Sequence, residues 1–381
     1  MRTLIRNTTG LVCWLALAHT ATAQSAEDFA QLQARVIQLE EQQDEAPQFV
    51  LGKNTTIDIY GFVRAEAFYD FDFAQGDLSR AGRVGDPNFE TDGEFDTSVR
   101  VSRFGVRSST DTDIGTIGTQ LEFDLFGSGG DDSSSPNLRL RHANVTIGDN
   151  VLIGQFWTNF MPLVHYPSTA DFNGPVGITF ARVPQFRYTY NAGNGLQFSG
   201  SIEEQNGGAS DPVVTAAAFY DGGNYSVRAA VLGGEFEDAA GNNLTTSGYS
   251  LSGSVTPWQG GSFSATYTSG DALGNLLIGG GARSVAGEEN ESDSFTVAYN
   301  QDLTDQVSLA LAYGYEDYDL ATQIGTSANS FDELQSVHAT LFYRPVESLT
   351  LAAEYIYIES SGPGGFEAEA DRIGLSATYS F

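Results

Sequence analysis

The sequence predicts an all-β transmembrane barrel of sixteen antiparallel strands, and three observations predict it. From Thr56 onward, apolar and polar residues alternate with period two in segment after segment, the pattern of strands with one lipid face and one water face. The connections between segments alternate short and long. The last residue, Phe381, follows Tyr379 at alternate spacing, which resembles the C-terminal signal read by the barrel assembly machinery of the outer membrane.

Composition narrows the alternatives. The 381 residues carry 49 acidic and 18 basic side chains, a net charge of −31. Affinity for phosphate backbones comes from clustered Lys and Arg, so nucleic acid is excluded as a partner. At 41% hydrophobic, the chain is no disordered acidic tail. No stretch after residue 23 has the 18 or more apolar residues that a membrane helix needs. A closed barrel still satisfies its backbone in lipid. The mean hydropathy of −0.20 fits one, since only every second strand residue meets lipid.

The N-terminus supplies the address. Arg2 and Arg6, the apolar run from Leu11 to Ala18 and the small-residue site Ala21-Thr22-Ala23 predict a secretory signal over residues 1–23. The lone Cys13 leaves with it, so the mature chain has no thiol for a disulfide, a metal or a nucleophile. Losing Arg2 and Arg6 takes the net charge from −31 to −33. Residues 24–47 then switch to a period of 3.5, with Phe29, Leu32, Val36 and Leu39 forming a heptad seam. Ser25 and Asp28 suit its start, and Pro47 its end. A helix of about three turns barely forms alone, so a periplasmic coiled coil between copies is expected. The competing reading lays the helix on its own domain.

Residues 48–381 make the barrel. In the first strand, Ile57, Ile59, Gly61, Val63, Ala65, Ala67 and Tyr69 alternate with Asp58, Tyr60, Phe62, Arg64, Glu66 and Asp70. The last segment sets Ile373, Leu375, Ala377, Tyr379 and Phe381 against Arg372, Gly374, Ser376, Thr378 and Ser380. Segments centre near residues 63, 103, 121, 142, 154, 187, 199, 217, 229, 250, 266, 297, 311, 338, 354 and 375. Turns such as Gly148-Asp149-Asn150 contrast with long loops at 72–96, 158–181 and 271–290. An even count with loops sorted by length is what an outer-membrane barrel of a Gram-negative bacterium requires.

Motifs in the first half resemble a known family. Ser102-Arg103-Phe104-Gly105-Val106-Arg107 resembles the second strand of trimeric general porins. Leu138 to Ala143, Leu152 to Met161, Asp171 to Pro175 and Pro184 to Tyr188 look more specifically like the DcaP-like porins. That resemblance implies a secretory signal, a short periplasmic coiled coil, a sixteen-stranded trimeric barrel and passive uptake of small anions, dicarboxylates included. It also implies that segment 158–181 is the third loop, which in general porins folds inward and constricts the channel. The second half matches only in strand pattern.

Seven arginines fall between residues 100 and 187, and parity sorts them. With Phe104 and Val106 outward, Arg103 and Arg107 face the lumen; Arg139 and Arg141 follow from Leu138 and Leu140, and Arg187 from Phe186 and Tyr188. Together with Arg182 they are the expected anion-binding wall of the constriction. Arg100 falls on the opposite parity and is set aside. The loop contributes Trp157, Phe160, Tyr166 and Phe172, with Asp171 as its one acid. Glu66, Glu122 and Asp124 share the lumenal parity, so an alternative reading has some arginines neutralising wall carboxylates. The loop aromatics either pin the loop or form a stacking track.

The strong negative charge suggests cation preference instead. Eight acids lie in residues 70–96, however, and Glu288, Glu289, Glu291 and Asp293 lie in another long loop, all expected outside the membrane. At a Debye length of about 8 Å their field is screened at the constriction. These loops also suit divalent cations shared with lipopolysaccharide. Catalysis needs a Ser–His pair with an orienting third group, and His142, read at lipid or interface parity, His165 and His338 show no such partner. The expectation is therefore a porin without cofactor or metal, preferring carboxylates, with a general, cation- or sugar-preferring porin as the alternative. Small outward residues Gly61, Ala65 and Ala67 add a homotrimer embedded in outer-membrane lipid.

Overall fold

The computed structural model describes residues 48–51, 54–127, 137–206 and 211–381. The expected signal segment and heptad helix, residues 1–47, lie outside the described residues. Sixteen strands close into one antiparallel barrel. They are β1 (Thr55–Asp70), β2 (Glu94–Ser98 and Arg103–Thr112), β3 (Gly115–Asp124), β4 (Arg139–Ile147), β5 (Val151–Trp157), β6 (Arg182–Gly193), β7 (Leu196–Glu203) and β8 (Val213–Asp221). The second half adds β9 (Tyr225–Glu237), β10 (Asn243–Trp258), β11 (Gly261–Asp271), β12 (Glu291–Asp302), β13 (Val307–Gln323), β14 (Ser330–Val346), β15 (Leu349–Gly362) and β16 (Phe366–Ser380). Every segment centre expected from the alternation falls inside one of them.

Closure follows from β1 pairing with β16, from Phe62↔Ser380 to Asp70↔Arg372. A reciprocal backbone pair between Gly61 and Phe381, at 3.0 and 3.2 Å, finishes the seam. Below it, Gln48–Leu51 takes over the edge of β1, pairing with Thr55 to Asp58. Each barrel strand thus has a neighbour on both sides, the condition a sheet must meet in hydrocarbon. Alternation does the rest. Val63, Phe186, Val231 and Leu375 stand exposed on the lipid face, while Ser250, Thr268, Thr296, Ser336 and Thr340 are buried on the lumenal one.

Two irregularities change which side chains reach the lumen. Residues 99–102 interrupt β2 with a turn closed by Ser102 N–H on the Val99 carbonyl (3.0 Å), which resets the phase. Arg100 therefore points inward, where Asp77 receives its guanidinium at 3.0 Å. In β4, register runs from Glu122↔His142 to Phe123↔Leu140, leaving Arg141 as an extra residue. That bulge corrects the lipid or interface parity expected for His142: Arg141 and His142 both lie inside, fully buried.

Turns on one rim span two to four residues, whereas three loops of the other rim fold back into the barrel. They are the first (residues 71–93), third (158–181) and sixth (272–290). A bridge at Thr179↔Leu277 joins the third loop to the sixth. Phe180 N–H donates to the Leu276 carbonyl (2.7 Å) and Ile278 N–H to that of Ile178 (3.0 Å). Ala81 and Val84 of the first loop, Val176 of the third and Leu277 of the sixth share one apolar cluster with Tyr318, Leu334 and Ile356 of β13 to β15. Burial at about 1.5–3 kcal/mol per large aliphatic side chain draws the loops inward. The acids of 70–96 are accordingly not all outside: Asp70, Asp77 and Asp86 are buried, and Asp70 pairs with Arg372 at 2.5 Å. Glu291 and Asp293, expected in a loop, begin β12.

Candidate functional site

The wall built by β1 to β4 carries its arginines in a network with carboxylates. Arg141 Nε reaches Glu122 at 2.6 Å and its Nη1 reaches Asp124 at 3.2 Å. Asp124 also takes both Arg139 Nε (2.9 Å) and Nη2 (2.6 Å), a forked pair. Arg103 Nε lies 3.6 Å from Glu122, and Arg64 pairs with Glu66 at 2.7 Å. Tyr60 Oη completes the set by donating to Glu122 (3.0 Å). Four arginines thus face Glu66, Glu122 and Asp124, and the reading in which wall carboxylates neutralise arginines describes Arg103, Arg139 and Arg141.

The same cations lie over rings. Arg141 sits 5.6 Å from the Trp157 ring and 5.5 Å from that of Phe172; Arg107 sits 4.3 Å above Tyr60. Arg182 pairs across the ladder with Trp157 and turns inward with it, near Arg141 and Asp124, its guanidinium 4.8 Å from the Trp157 ring and 5.7 Å from Phe180. The structure therefore brings Arg103 and Arg141 together with Arg64 around a cavity of about 120 Å³ between wall and third loop. Arg107 and Arg182 line neither this cavity nor the second one below.

The third loop is fastened at many points. Glu203 of β7 accepts Thr158 Oγ1 and Asn159 N–H (2.7 Å), fixing its start. His165 sits between Ser252 Oγ (2.7 Å) and Ser226 Oγ (2.8 Å). Burial, reinforced by the Arg228 charge, pushes its imidazole down to about 4, so it is neutral at neutral pH. Arg64 donates to the Ala170 carbonyl. Glu354 accepts Ala170 N–H (3.2 Å) and Asp171 N–H (2.5 Å), and Glu316 accepts Gly177 N–H (2.7 Å). Backbone closeness requires glycine here: a Cβ on Gly314 would lie 1.8 Å from the Val176 carbonyl oxygen, and one on Gly177, whose φ is +84°, 2.7 Å from two wall carbonyls.

Among the loop residues expected at the site, Trp157, Tyr166, Asp171 and Phe172 border the 120 Å³ cavity. Phe160 does not; it is wholly buried against Ala181, Ala217 and Leu273. Asp171 turns to the first loop, accepting Ser79 N–H (2.9 Å) and Ser79 Oγ (2.5 Å). Tyr166 spends its hydroxyl on the Asn173 carbonyl (2.8 Å), and Phe172 stacks on Phe126 with centroids 5.9 Å apart.

A second cavity, of about 460 Å³, lies on the short-turn side of the loop and reaches Gly193, Gly195 and Asp221 near that rim. Arg187 and Arg228 line it. Arg187 Nε donates to Gln185 Oε1 (2.9 Å) and its Nη2 to the Trp157 carbonyl. Arg228 donates to the carbonyls of Asn159 and Phe160. Among the described residues neither makes a direct ion pair; their hydrogen bonds go to neutral acceptors, with the Glu203 carboxylate acting on both charges from further off. Arg228, like Phe180 and Arg64, was missed in the sequence. Its signal was parity, since Val227 beside it faces outward.

A family model described as DcaP outer membrane protein matches residues 23–222, just over half of the chain. The chain belongs to the DcaP outer membrane protein family. It is similar to the outer membrane channel DcaP of Acinetobacter baumannii, with 26% identity and a TM-score of 0.78 over 87% of this chain and 99% of that one. In fold it is also similar to the in-vitro folded trimer form of OmpT from Vibrio cholerae (17% identity, TM-score 0.59, 86% and 100% covered). A third likeness is to an anion-selective porin from Comamonas acidovorans (14% identity, TM-score 0.61, 86% and 100% covered). No curated protein matches the chain. This DcaP-family chain is a bacterial outer-membrane β-barrel channel of a family of porins, not of enzymes.

Proposed function

We propose that this porin prefers small anions, carboxylates and dicarboxylates among them, and that the inward-folded third loop is its constriction. The observation that carries this reading is the pair Arg187 and Arg228, which line the larger cavity without an ion-pair partner among the described residues. A guanidinium hydrogen-bonded to carbonyls keeps its full charge, while one locked to a carboxylate presents mainly a dipole. Inside a narrow lumen an unpaired charge acts at an effective dielectric of about 20, where an ion at 4 Å gains roughly 4 kcal/mol before desolvation. The wall around the smaller cavity adds Arg64, Arg103 and Arg141, each paired with a carboxylate, so the charge without a direct ion pair stands on the short-turn side of the loop. Paired N–H donors suit carboxylates, and binding must stay weak enough for release. The sugar-track alternative has less support, because the loop rings pack on each other and on arginines rather than standing free.

The reversal potential of the purified channel in a KCl gradient tests this. Wild type should show the sign of anion preference, and the double variant Arg187→Gln, Arg228→Gln should move it toward cations. A cation-selective wild type would end the reading. To the same reading belong cleavage after residue 23, a periplasmic coiled coil over 24–47, a homotrimer, insertion through the Phe381 signal and lipopolysaccharide around the barrel.

A further inference from the structure

Five aromatic rings border the smaller cavity: Phe62 of β1, Trp157 at the end of β5, and Tyr166, Phe172 and Phe180 of the third loop. Phe180 is their hub. Its centroid lies 5.0 Å from that of Trp157 and 5.9 Å from that of Phe172, both edge to face, and 6.4 Å from that of Tyr166. Tyr166, Phe172 and Phe180 are only half-buried, so ring surface remains turned to the space they enclose. Val101, Met161 and Leu163 add aliphatic and thioether groups to the same lining.

The charged groups around this cavity are engaged with one another. Arg64 is held by Glu66 and the Ala170 carbonyl, Arg103 lies against Glu122, and Arg141 is shared by Glu122 and Asp124. Asp171 accepts Ser79 and the backbone N–H groups of Asn173 (3.0 Å) and Gly174 (3.1 Å). Tyr166 Oη donates to the Asn173 carbonyl and Thr169 Oγ1 to that of Asp171 (2.9 Å). A carboxylate entering here must displace a wall carboxylate from its arginine and then face Asp171. A guest without charge leaves every pair intact. Ser168 stands apart: its half-buried hydroxyl borders the cavity and makes no hydrogen bond among the described residues.

We propose that this cavity is a binding site for a phenol, one uncharged planar ring stacked in the Phe180 cluster with its hydroxyl at Ser168. The size agrees. The cavity measures about 120 Å³, and an apolar cavity of about 150 Å³ takes up benzene. Aromatic pairs favour offset or edge-to-face contact at about 4.5–7 Å, the spacing Phe180 already keeps with its neighbours, so a guest ring extends an existing arrangement. The site is separate from the anion-channel reading, since Arg187 and Arg228 line the other cavity. A phenol and a permeating anion thus have different places in one lumen.

Purified channel in detergent micelles is titrated with para-fluorophenol and followed by fluorine NMR. A saturable protein-bound resonance is expected beside the micelle-partitioned one. Ser168→Phe, which places a ring of the protein's own in the cavity and removes the hydroxyl, should abolish it. Phe180→Leu should weaken apparent affinity about twofold to tenfold, the worth of an aromatic pair beyond its area. Para-fluorobenzoate should bind at least about tenfold more weakly than the phenol, because its charge finds no unengaged partner there. Single-channel conductance in planar bilayers reports that each variant has folded. A wild type without the bound resonance, or a resonance that survives both substitutions unchanged, overturns the site. Tighter binding of the benzoate overturns the uncharged ring as its ligand. The sign of the KCl reversal potential does not enter, because binding is read without current, so this inference and the anion reading fail separately.

Discussion

Glu122 is wholly buried and receives Tyr60, Arg103 and Arg141 together, while Asp124 receives Arg139 and Arg141. Arg141 is the shared partner, so its loss leaves two carboxylates short of charge inside the wall. Breaking one side of a buried pair costs about 3–5 kcal/mol. Arg141→Ala should therefore lower barrel stability by about that amount in urea unfolding from lipid vesicles, and adding Glu122→Gln should recover part of it. A loss no larger than that of Arg107→Ala would mean that Arg141 is solvated and free to serve ions directly. Parity made Arg103, Arg139, Arg141 and Arg187 legible as lumenal residues, because alternation is a local property. Pairing with Glu66, Glu122 and Asp124 was legible as an alternative, but which arginine meets which acid was not, since Arg141 and Glu122 lie 19 positions apart on strands whose register is offset by a bulge. His142 was misplaced for the same reason: one extra residue shifts the parity of those beyond it.

At the scale of elements, the third loop depends on the strands it crosses and on the sixth loop beside it. Glu316 of β13 ties the two, accepting Gly177 N–H (2.7 Å) from one and Gly279 N–H (2.8 Å) from the other. Glu316→Ala leaves both amides without their acceptor, at about 1–3 kcal/mol each. Single-channel records of that variant should show frequent partial closures where wild type is quiet. A quiet variant with wild-type conductance would show that apolar packing alone holds the loops. The strands themselves were legible, because sixteen alternating segments leave sixteen periodic signals. The inward fold of residues 272–290 was not anticipated, although Leu273, Leu276, Leu277 and Ile278, apolar residues in a stretch otherwise read as an outer loop, were a sign of it.

For the whole molecule, β1 presents Ala65 and Ala67 outward, small residues that suit another barrel more than lipid chains, while Gly61, expected beside them, is buried against the Arg103 backbone. Purified protein in mild detergent should run as a trimer. Deleting residues 25–46 should leave a folded, conducting barrel, because strand closure satisfies the backbone, yet trimers should dissociate at a lower temperature. Failure of the deleted form to insert would assign the N-terminal segment a part in assembly instead.

The largest apolar cluster under the loops that fill the outer mouth lies on β13 to β15, with smaller ones on β8 to β10, whereas both cavities are bordered by β1, β2 and β4 to β9. The two halves of the chain consequently carry different trades. On the proposed reading, residues up to about Glu237 border the path of the solute, while much of the chain beyond it holds the loops in place. Natural variation has unequal meaning along such a chain. If the proposed reading holds, an exchange of Arg187 or Arg228 in the first half changes which solutes pass, while a volume-conserving exchange at Leu334 or Ile356 in the second is answerable only to packing.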